Sequence, residues 1–134
     1  MRGTVQLRDE RVCQQEARAH LPCRHHFVAG LENKPWVFEH EGADVRRCTD
    51  ALCRAAGFAP KVTFESGDVY LHTKLVSQGL AAAVVPGLSV RPRPDVAYSS
   101  LGVVRTIEVS TRAGSETSPV ILAVTSALHA ASQQ

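Results

Sequence analysis

The stretch FESGDVYLHTKLVSQGLAAAVVP, residues 64–86, decides the fold. It opens on the end of a strand, turns at Ser66-Gly67-Asp68, and continues as a helix. Asp68 is the expected N-cap and Gly79 the expected stop. Within the helix Leu71, Leu75 and Gln78 share one stripe, flanked by Val76. LAAAVV (80–85) follows as an unbroken apolar run. Its length, with glycine before it and proline after, predicts a buried strand rather than a helix.

The same rhythm extends upstream. KVTFE (61–65) alternates like a strand, with Val62 and Phe64 on one side and Thr63 and Glu65 on the other. GADVRRCTDALCRAAGF (42–58) predicts a helix with Asp44 as N-cap and Gly57 at its end. Val45, Cys48, Leu52 and Ala55 form the predicted apolar face, with Cys48 as a small core residue. KPWVFE (34–39) predicts another strand. Strand, helix, strand, helix and strand within residues 34–85 imply two right-handed crossovers. The fold class is therefore α/β with a parallel-sheet core and flanking helices.

Downstream the pattern loosens. RPRPDVAYSS (91–100) holds two prolines and predicts an extended connection. VVRTIEVSTR (103–112) alternates like a half-buried strand. SPVILAVTSALHAA (118–131) predicts a closing helix, with Ser118 as N-cap and Pro119 as first residue. Val120, Ile121, Val124, Leu128 and Ala131 lie on its apolar face. At the other end, LRDERV can lead into a strand, whereas CQQEARAHLPCRHHF has no clean period.

Composition narrows the function. The 134 residues carry 15 basic and 13 acidic side chains, which nearly cancel. With no basic stripe and few aromatic residues, direct nucleic-acid contact by this chain is not expected. There is no apolar run of about 18 residues, and the N-terminal segment is charged throughout. Those features predict a cytoplasmic chain without a membrane span, its cysteines reduced.

In open α/β sheets, ligands settle beyond the carboxyl ends of the strands. Three such ends converge here: residues 39–44, 65–68 and 85–87. The candidate ligand-binding residues are Glu41, Gly42, Ala43, Asp44, Ser66, Gly67, Asp68 and Pro86. Two of the turns feed helix N-termini, which present free N–H groups. The plainer reading is that they are capped turns, since Ser, Gly and Asp are ordinary turn residues. Loop chemistry alone favours that plainer reading, and Glu39, Glu41, Glu65 and Asp68 oppose an anionic ligand unless they point away.

Catalytic and metal chemistry find less support. Cys13, His20, Cys23, His25 and His26 follow C-x6-H-x2-C-x-H-H, which matches no common zinc spacing, so no metal is expected. Cys48 and Cys53 point to different sides of one helix and make no redox pair. Asp68 and His72 sit one turn apart with Ser66 before them, a spacing that is also common on helix surfaces. No Gly-x-Ser-x-Gly elbow, phosphate loop or dinucleotide fingerprint occurs. Neither an enzymatic activity nor a cofactor is expected.

The residues also carry a family resemblance. Cys53-Arg54-Ala55-Ala56-Gly57-Phe58, Pro60, Val62, Phe64-Glu65, Asp68, Leu75-Val76, Gly79-Leu80 and Val84-Val85-Pro86 stand in the register of LysR-type transcriptional regulators, within their effector-binding domain. KPWV resembles the family's EPWI strand, and LRDERV followed by AHLP its L-x-E-x-L … HPLA region. VVRTIEVSTRAG and SPVILAVTSALHAA resemble the closing strand and helix. The resemblance covers most of residues 5–131, and its motifs are specific in combination rather than singly. It implies a periplasmic-binding-protein-like (type 2) half.

By that resemblance, residues 1–34 are a lead-in with a possible first strand, and residues 35–99 are the effector-binding second subdomain. Residues 100–134 are then the strand and helix that close the first subdomain. The helix-turn-helix, linker helix and first half typical of the family have no counterpart here. CQQEARA (13–19) stands where the family has an apolar strand, so the sheet is expected to be damaged or shifted there.

The function this implies is an effector-sensing module, truncated and without its own DNA-binding head. Its partners would be a small-molecule effector and either a second copy or a full-length relative. Val103, Ile107 or Val109 and the last helix would leave apolar surface uncovered, which predicts a dimer or a swapped assembly. The alternatives are a small α/β enzyme or metal protein, or a ligand-free dimerisation or interaction module.

Overall fold

Strand β2 (Pro35–Phe38) is hydrogen-bonded along both of its edges. In a computed structural model that describes residues 5–16 and 28–131, β2 pairs in parallel with β3 (Lys61–Glu65) on one side, from Pro35 opposite Lys61 to Phe38 opposite Glu65. On its other side Trp36 bridges Ala82, also in parallel. The Val37 N–H donates to the Ala82 carbonyl at 3.0 Å, and the Ala82 N–H donates to the Pro35 carbonyl at 2.8 Å. Ala82 leads directly into β4 (Ala83–Pro86). Parallel pairing thus joins the segments around Trp36 and Phe64, and reaches the segment around Val84 only through the Trp36–Ala82 bridge, because β4 itself belongs to a second, three-stranded sheet.

A second sheet, of three strands, contains β4. Strand β1 (Val5–Glu16) pairs antiparallel with β4, from Arg11 opposite Pro86 to Gln14 opposite Ala83, and β5 (Val96–Val109) lies next to β1. The strand runs through Gln14, Gln15 and Glu16, so that part of the segment expected to be damaged is extended and paired. Residues 17–19, and the proposed metal spacing over His20, Cys23, His25 and His26, lie outside the described residues. Strand β5 starts at Val96, earlier than the expected Val103. Only the Arg91–Pro94 part of the proline-rich stretch stays a connection, because two prolines there cannot donate to a ladder.

Helices α1 (Asp44–Ala55) and α2 (Val69–Ser77) carry the crossovers. Between them the sheet sorts its side chains by parity. Trp36, Phe38, Ala82 and Val84 join Cys53 of α1 and Phe58 in one cluster. Val37, Ala83 and Val85 join Val76 of α2 and Val96 in another. Adjacent residues of one strand thus enter different cores. That is why LAAAVV shows no alternation: Ala81 to Val85 are all buried, and both faces of the strand are covered. Trp36 anchors the first core with no exposed surface. Its ring meets Phe38 edge-on at 6.2 Å and Phe58 at 6.3 Å, and its Nε1–H donates to the Leu31 carbonyl at 3.3 Å.

Both helices bury a different stripe from the one their apolar residues mark. In α1 the buried residues are Val45, Thr49 and Cys53, while Cys48 is only half-buried. Thr49 goes inside because its Oγ1–H donates to the Val45 carbonyl at 2.7 Å, satisfying the hydroxyl within the helix. Burial pushes the Cys53 thiol up to about 12, with Asp50 adding to the shift, so the core cysteine is Cys53 and it stays a neutral thiol. Ala43, not Asp44, is the N-cap of α1, and its side chain caps nothing. In α2 the buried residues are His72 and Val76, whereas Leu71 and Gln78 are exposed. Asp68 caps α2 as expected, and Gly79 ends it with φ of 70°, a conformation costly to a residue with a Cβ.

The chain divides into two compact units, residues 11–103 and residues 1–10 with 104–134. The second unit contains α3 (Pro119–Ala131), which forms where expected. No residue of α3 is buried, and Val120 is 71% exposed.

Candidate functional site

The turns after β2 and β3 meet. The Ser66 N–H donates to the Phe38 carbonyl at 2.9 Å, which extends the parallel ladder by one step past the strand ends. Beyond it, Glu65 ties the two loops together. Its Oε2 accepts from Arg46 Nη1 at 2.8 Å, and its Oε1 lies 3.1 Å from His40 Nδ1. Arg46 Nη1 also donates to the Glu39 carbonyl at 2.8 Å, and its guanidinium stacks 5.5 Å from the centre of the Phe38 ring. The His40 and Arg46 hydrogen bonds hold the Glu65 carboxyl below its ordinary value. Gly67 backs onto His40: a Cβ there would lie 3.6 Å from His40 Cδ2, in ordinary contact.

Each candidate residue from the sequence can now be placed. Glu41 and Gly42 form the exposed turn before α1, and Gly42 takes φ of 87°. The Gly42 carbonyl accepts from Arg47 Nη1 at 3.2 Å, and Asp44 pairs with the same guanidinium. Ala43 stands at the mouth of α1. Ser66 Oγ accepts from the Asp68 N–H at 3.0 Å, and Asp68 Oδ1 accepts from the Tyr70 N–H at 2.9 Å. These seven residues share one rim. Pro86 is buried at the end of β4, where it stands opposite Arg11 of β1.

Asp68 and His72 are engaged in local structure, and Ser66 Oγ accepts from the Asp68 N–H while its own O–H is left to donate. His72 is 1% exposed, and its Nε2–H donates to the Ser66 carbonyl at 2.6 Å. That bond fixes the proton on Nε2 and leaves Nδ1 buried without a partner. The imidazole therefore braces the turn from beneath, and no nucleophile–base contact exists among the three. Among the described residues no group of three or more His, Cys, Asp or Glu could hold a metal.

Sequence reasoning missed His40 and Arg46, the two groups that fasten the rim. The only trace of Arg46 was its place in the first turn of a helix beside a strand end. The two helix mouths also differ. Asp68 occupies that of α2, while α1 begins without a side-chain cap and keeps first-turn N–H groups open.

The family described as "LysR substrate binding domain" matches residues 5–133. Among solved structures, the C-terminal domain of a probable LysR family transcriptional regulator from Rhodococcus sp. RHA1 is similar, with TM-score 0.68 and 21% identity over 95% of this chain and 67% of that one. A Corynebacterium glutamicum OxyR C206 mutant gives 0.67 and 18% over 98% of this chain and 44% of that one. The regulatory domain of Synechocystis PCC6803 CcmR, solved in complex with 2-PG, gives 0.63 and 14% over 98% and 68%. This chain thus spans 44% to 68% of the length of those structures. A search of curated proteins found no match.

Proposed function

The chain belongs to the LysR substrate binding domain family, and from that premise we propose that it serves as a small-molecule sensing module of a transcriptional regulator. Residues 35–99 form its effector-binding subdomain, and residues 100–134 supply a strand and helix to the complementary one. The observation that carries this reading is the rim where Glu41–Asp44 and Ser66–Asp68 meet through His40, Arg46 and Glu65. That rim lies at the carboxyl ends of parallel strands, where α/β sheets take ligands.

The chemistry of the rim favours binding without transformation. Arg46 and Glu65 are spent on each other, Asp44 on Arg47, and Asp68 on the α2 mouth. What remains is a set of hydrogen-bonding groups: the open N–H groups of α1, the Ser66 hydroxyl and backbone around Gly67. Such a set orients a small polar metabolite. No described helix is long and apolar enough to cross a membrane; membership of a family of transcriptional regulators supports placing the module in the cytoplasm.

A thermal-shift screen of the chain against polar metabolites, with 2-PG in the panel, tests the reading. A binder should raise the midpoint, and Ser66→Ala or Gly67→Val should weaken it at least tenfold while the unliganded midpoint changes little. Binders whose affinity ignores every change at residues 41–44 and 66–68 would remove the rim from the site.

The partner is a second copy of this chain or a full-length relative, and α3 is the proposed contact. Val120, Leu122, Val124 and Leu128 are each at least 40% exposed, and covering apolar area stabilises a contact by about 25 cal/mol per Å². Sedimentation at rising concentration should show self-association that Val120→Ser with Val124→Ser abolishes. A parent chain that stays monomeric, alone and mixed with a relative, would refute the contact.

A further inference from the structure

We propose that a second site, separate from the rim, binds a small organic anion: a carboxylate or phosphate head joined to an apolar body. It is the cavity of ≈430 Å³ between α2 and the segment that follows β4. That volume lies within the usual range of small-molecule sites.

Two walls of different character meet there. Val69, Tyr70 and Lys74 come from α2, and Leu88, Arg91 and Arg93 from the segment after β4. Val69 and Thr73 are four positions apart, as are Tyr70 and Lys74, so these lining residues run along adjacent rows of one side of the helix. Val69 and Leu88 supply the apolar floor. Three cations and no carboxylate line the cavity. The rim is mixed in charge, with Glu39, Glu41, Asp44, Glu65 and Asp68 beside His40, Arg46 and Arg47, whereas the charged groups lining the cavity are all cations. An anionic ligand therefore has reason to prefer the cavity.

The cations are not equivalent. Arg93 is held by Asp95 through two bonds, Nε to Oδ1 at 2.8 Å and Nη2 to Oδ2 at 2.7 Å. Its charge is largely answered, and its role is to set the shape of the segment. Lys74 and Arg91 form no salt bridge among the described residues, and Asp95, which Arg93 already holds, also feels the Lys74 charge at longer range; both cations keep N–H donors for a ligand. The backbone of Arg91 is fixed as well, because the Tyr98 hydroxyl donates to the Arg91 carbonyl at 2.9 Å. A guanidinium on one wall and an ammonium on the other offer two points of contact for one anionic head. Both side chains are solvent-exposed, so binding should weaken as salt rises.

The test is an NMR titration of the ¹⁵N-labelled chain with hexanoate, hexyl phosphate and neutral hexanol. Both anions should shift the amides of Tyr70, Thr73, Lys74 and Ser89 saturably, and hexanol should bind at least tenfold more weakly. Lys74→Gln with Arg91→Gln should weaken both anions at least tenfold, whereas Ser66→Ala should leave them unchanged. A higher salt concentration should weaken the parent chain in the same direction, which tests the two-point contact without any substitution. Equal binding of hexanol, indifference to salt, or no saturable shift at these amides would overturn the proposal. Anion shifts confined to residues 41–44 and 66–68 would overturn it and leave the rim reading standing. A rim that binds nothing would leave the cavity untouched.

Discussion

Residues 80–86 and residues 119–131 are both strongly apolar, and the structure treats them oppositely. From Ala81 to Pro86 every residue is buried, because α1 covers one face of the strand and α2 the other. In α3 no residue is buried, and Val120 and Val124 are 71% and 53% exposed. An apolar pattern in sequence states what a segment requires of its surroundings. Whether the requirement is met depends on which elements lie beside it. Residues 11–103 meet it internally, and α3 meets it only against something else.

Substitution should separate the two regions sharply. Trp36→Ala removes the anchor of the α1-side core and should cost about 3–5 kcal/mol, enough to unfold a domain of ordinary stability. Val120→Ser on α3 should change the stability of the isolated chain by less than about 0.5 kcal/mol. Urea denaturation followed by tryptophan fluorescence for Val120→Ser, and by circular dichroism for both, gives the comparison. Equal losses would mean that α3 is packed as firmly as the sheet.

The contrast also explains what could be read from sequence. The elements themselves were legible: KPWV, KVTFE and LAAAVV as strands, the two crossover helices, and the closing helix from Ser118-Pro119. Each is announced by local chemistry, such as an aromatic run, a capping aspartate, a terminal glycine or an N-terminal proline. The inward faces of the helices were not legible. Sequence reading places polar residues outside, yet Thr49 and His72 are among the most buried residues of α1 and α2. Each is admitted by one hydrogen bond, to the Val45 and Ser66 carbonyls, that only the folded backbone presents. The rim shows the same limit. Its turns were legible as strand ends, but its fasteners were not, since Arg46 reaches Glu65 across 19 positions. The antiparallel entry of β1 gave no local signal either, because pairing direction is set by connectivity and not by composition.

His72 offers a smaller break in the comparison. It is a polar group inside the well-packed unit, with Nε2 bonded to Ser66 and Nδ1 unpartnered. His72→Phe removes the donor to Ser66 and, at the same time, the orphaned acceptor. A lost partner costs about 1–3 kcal/mol, and relief of the orphan offsets part of it. The net loss should fall near the lower end, about 1 kcal/mol, well below that of Trp36→Ala. The Ser66–Asp68 turn should loosen, visible as faster amide exchange at Asp68 and Tyr70. A loss as large as that at Trp36 would show that the imidazole packs as a core residue and that its hydrogen bond matters little.

The smallest effect belongs to the rim. The Glu65 side chain is exposed, and its carboxyl is lowered first by the His40 hydrogen bond and then by Arg46. A carboxyl with a folded-state pKa below its unfolded value stabilises the fold above the ordinary value, here 4.5, where it is ionised in both states. As pH falls through the lowered folded value, the carboxylate takes up a proton and that contribution disappears. Stability measured from pH 7 downward should therefore fall in the acid range, and Glu65→Gln should flatten that part of the slope. Salt should weaken the contribution too, because exposed pairs are screened. If Glu65→Gln leaves the acid slope unchanged, the two loops are held by the Ser66–Phe38 backbone bond alone. The rim would then be as rigid without its charges as the sheet beneath it.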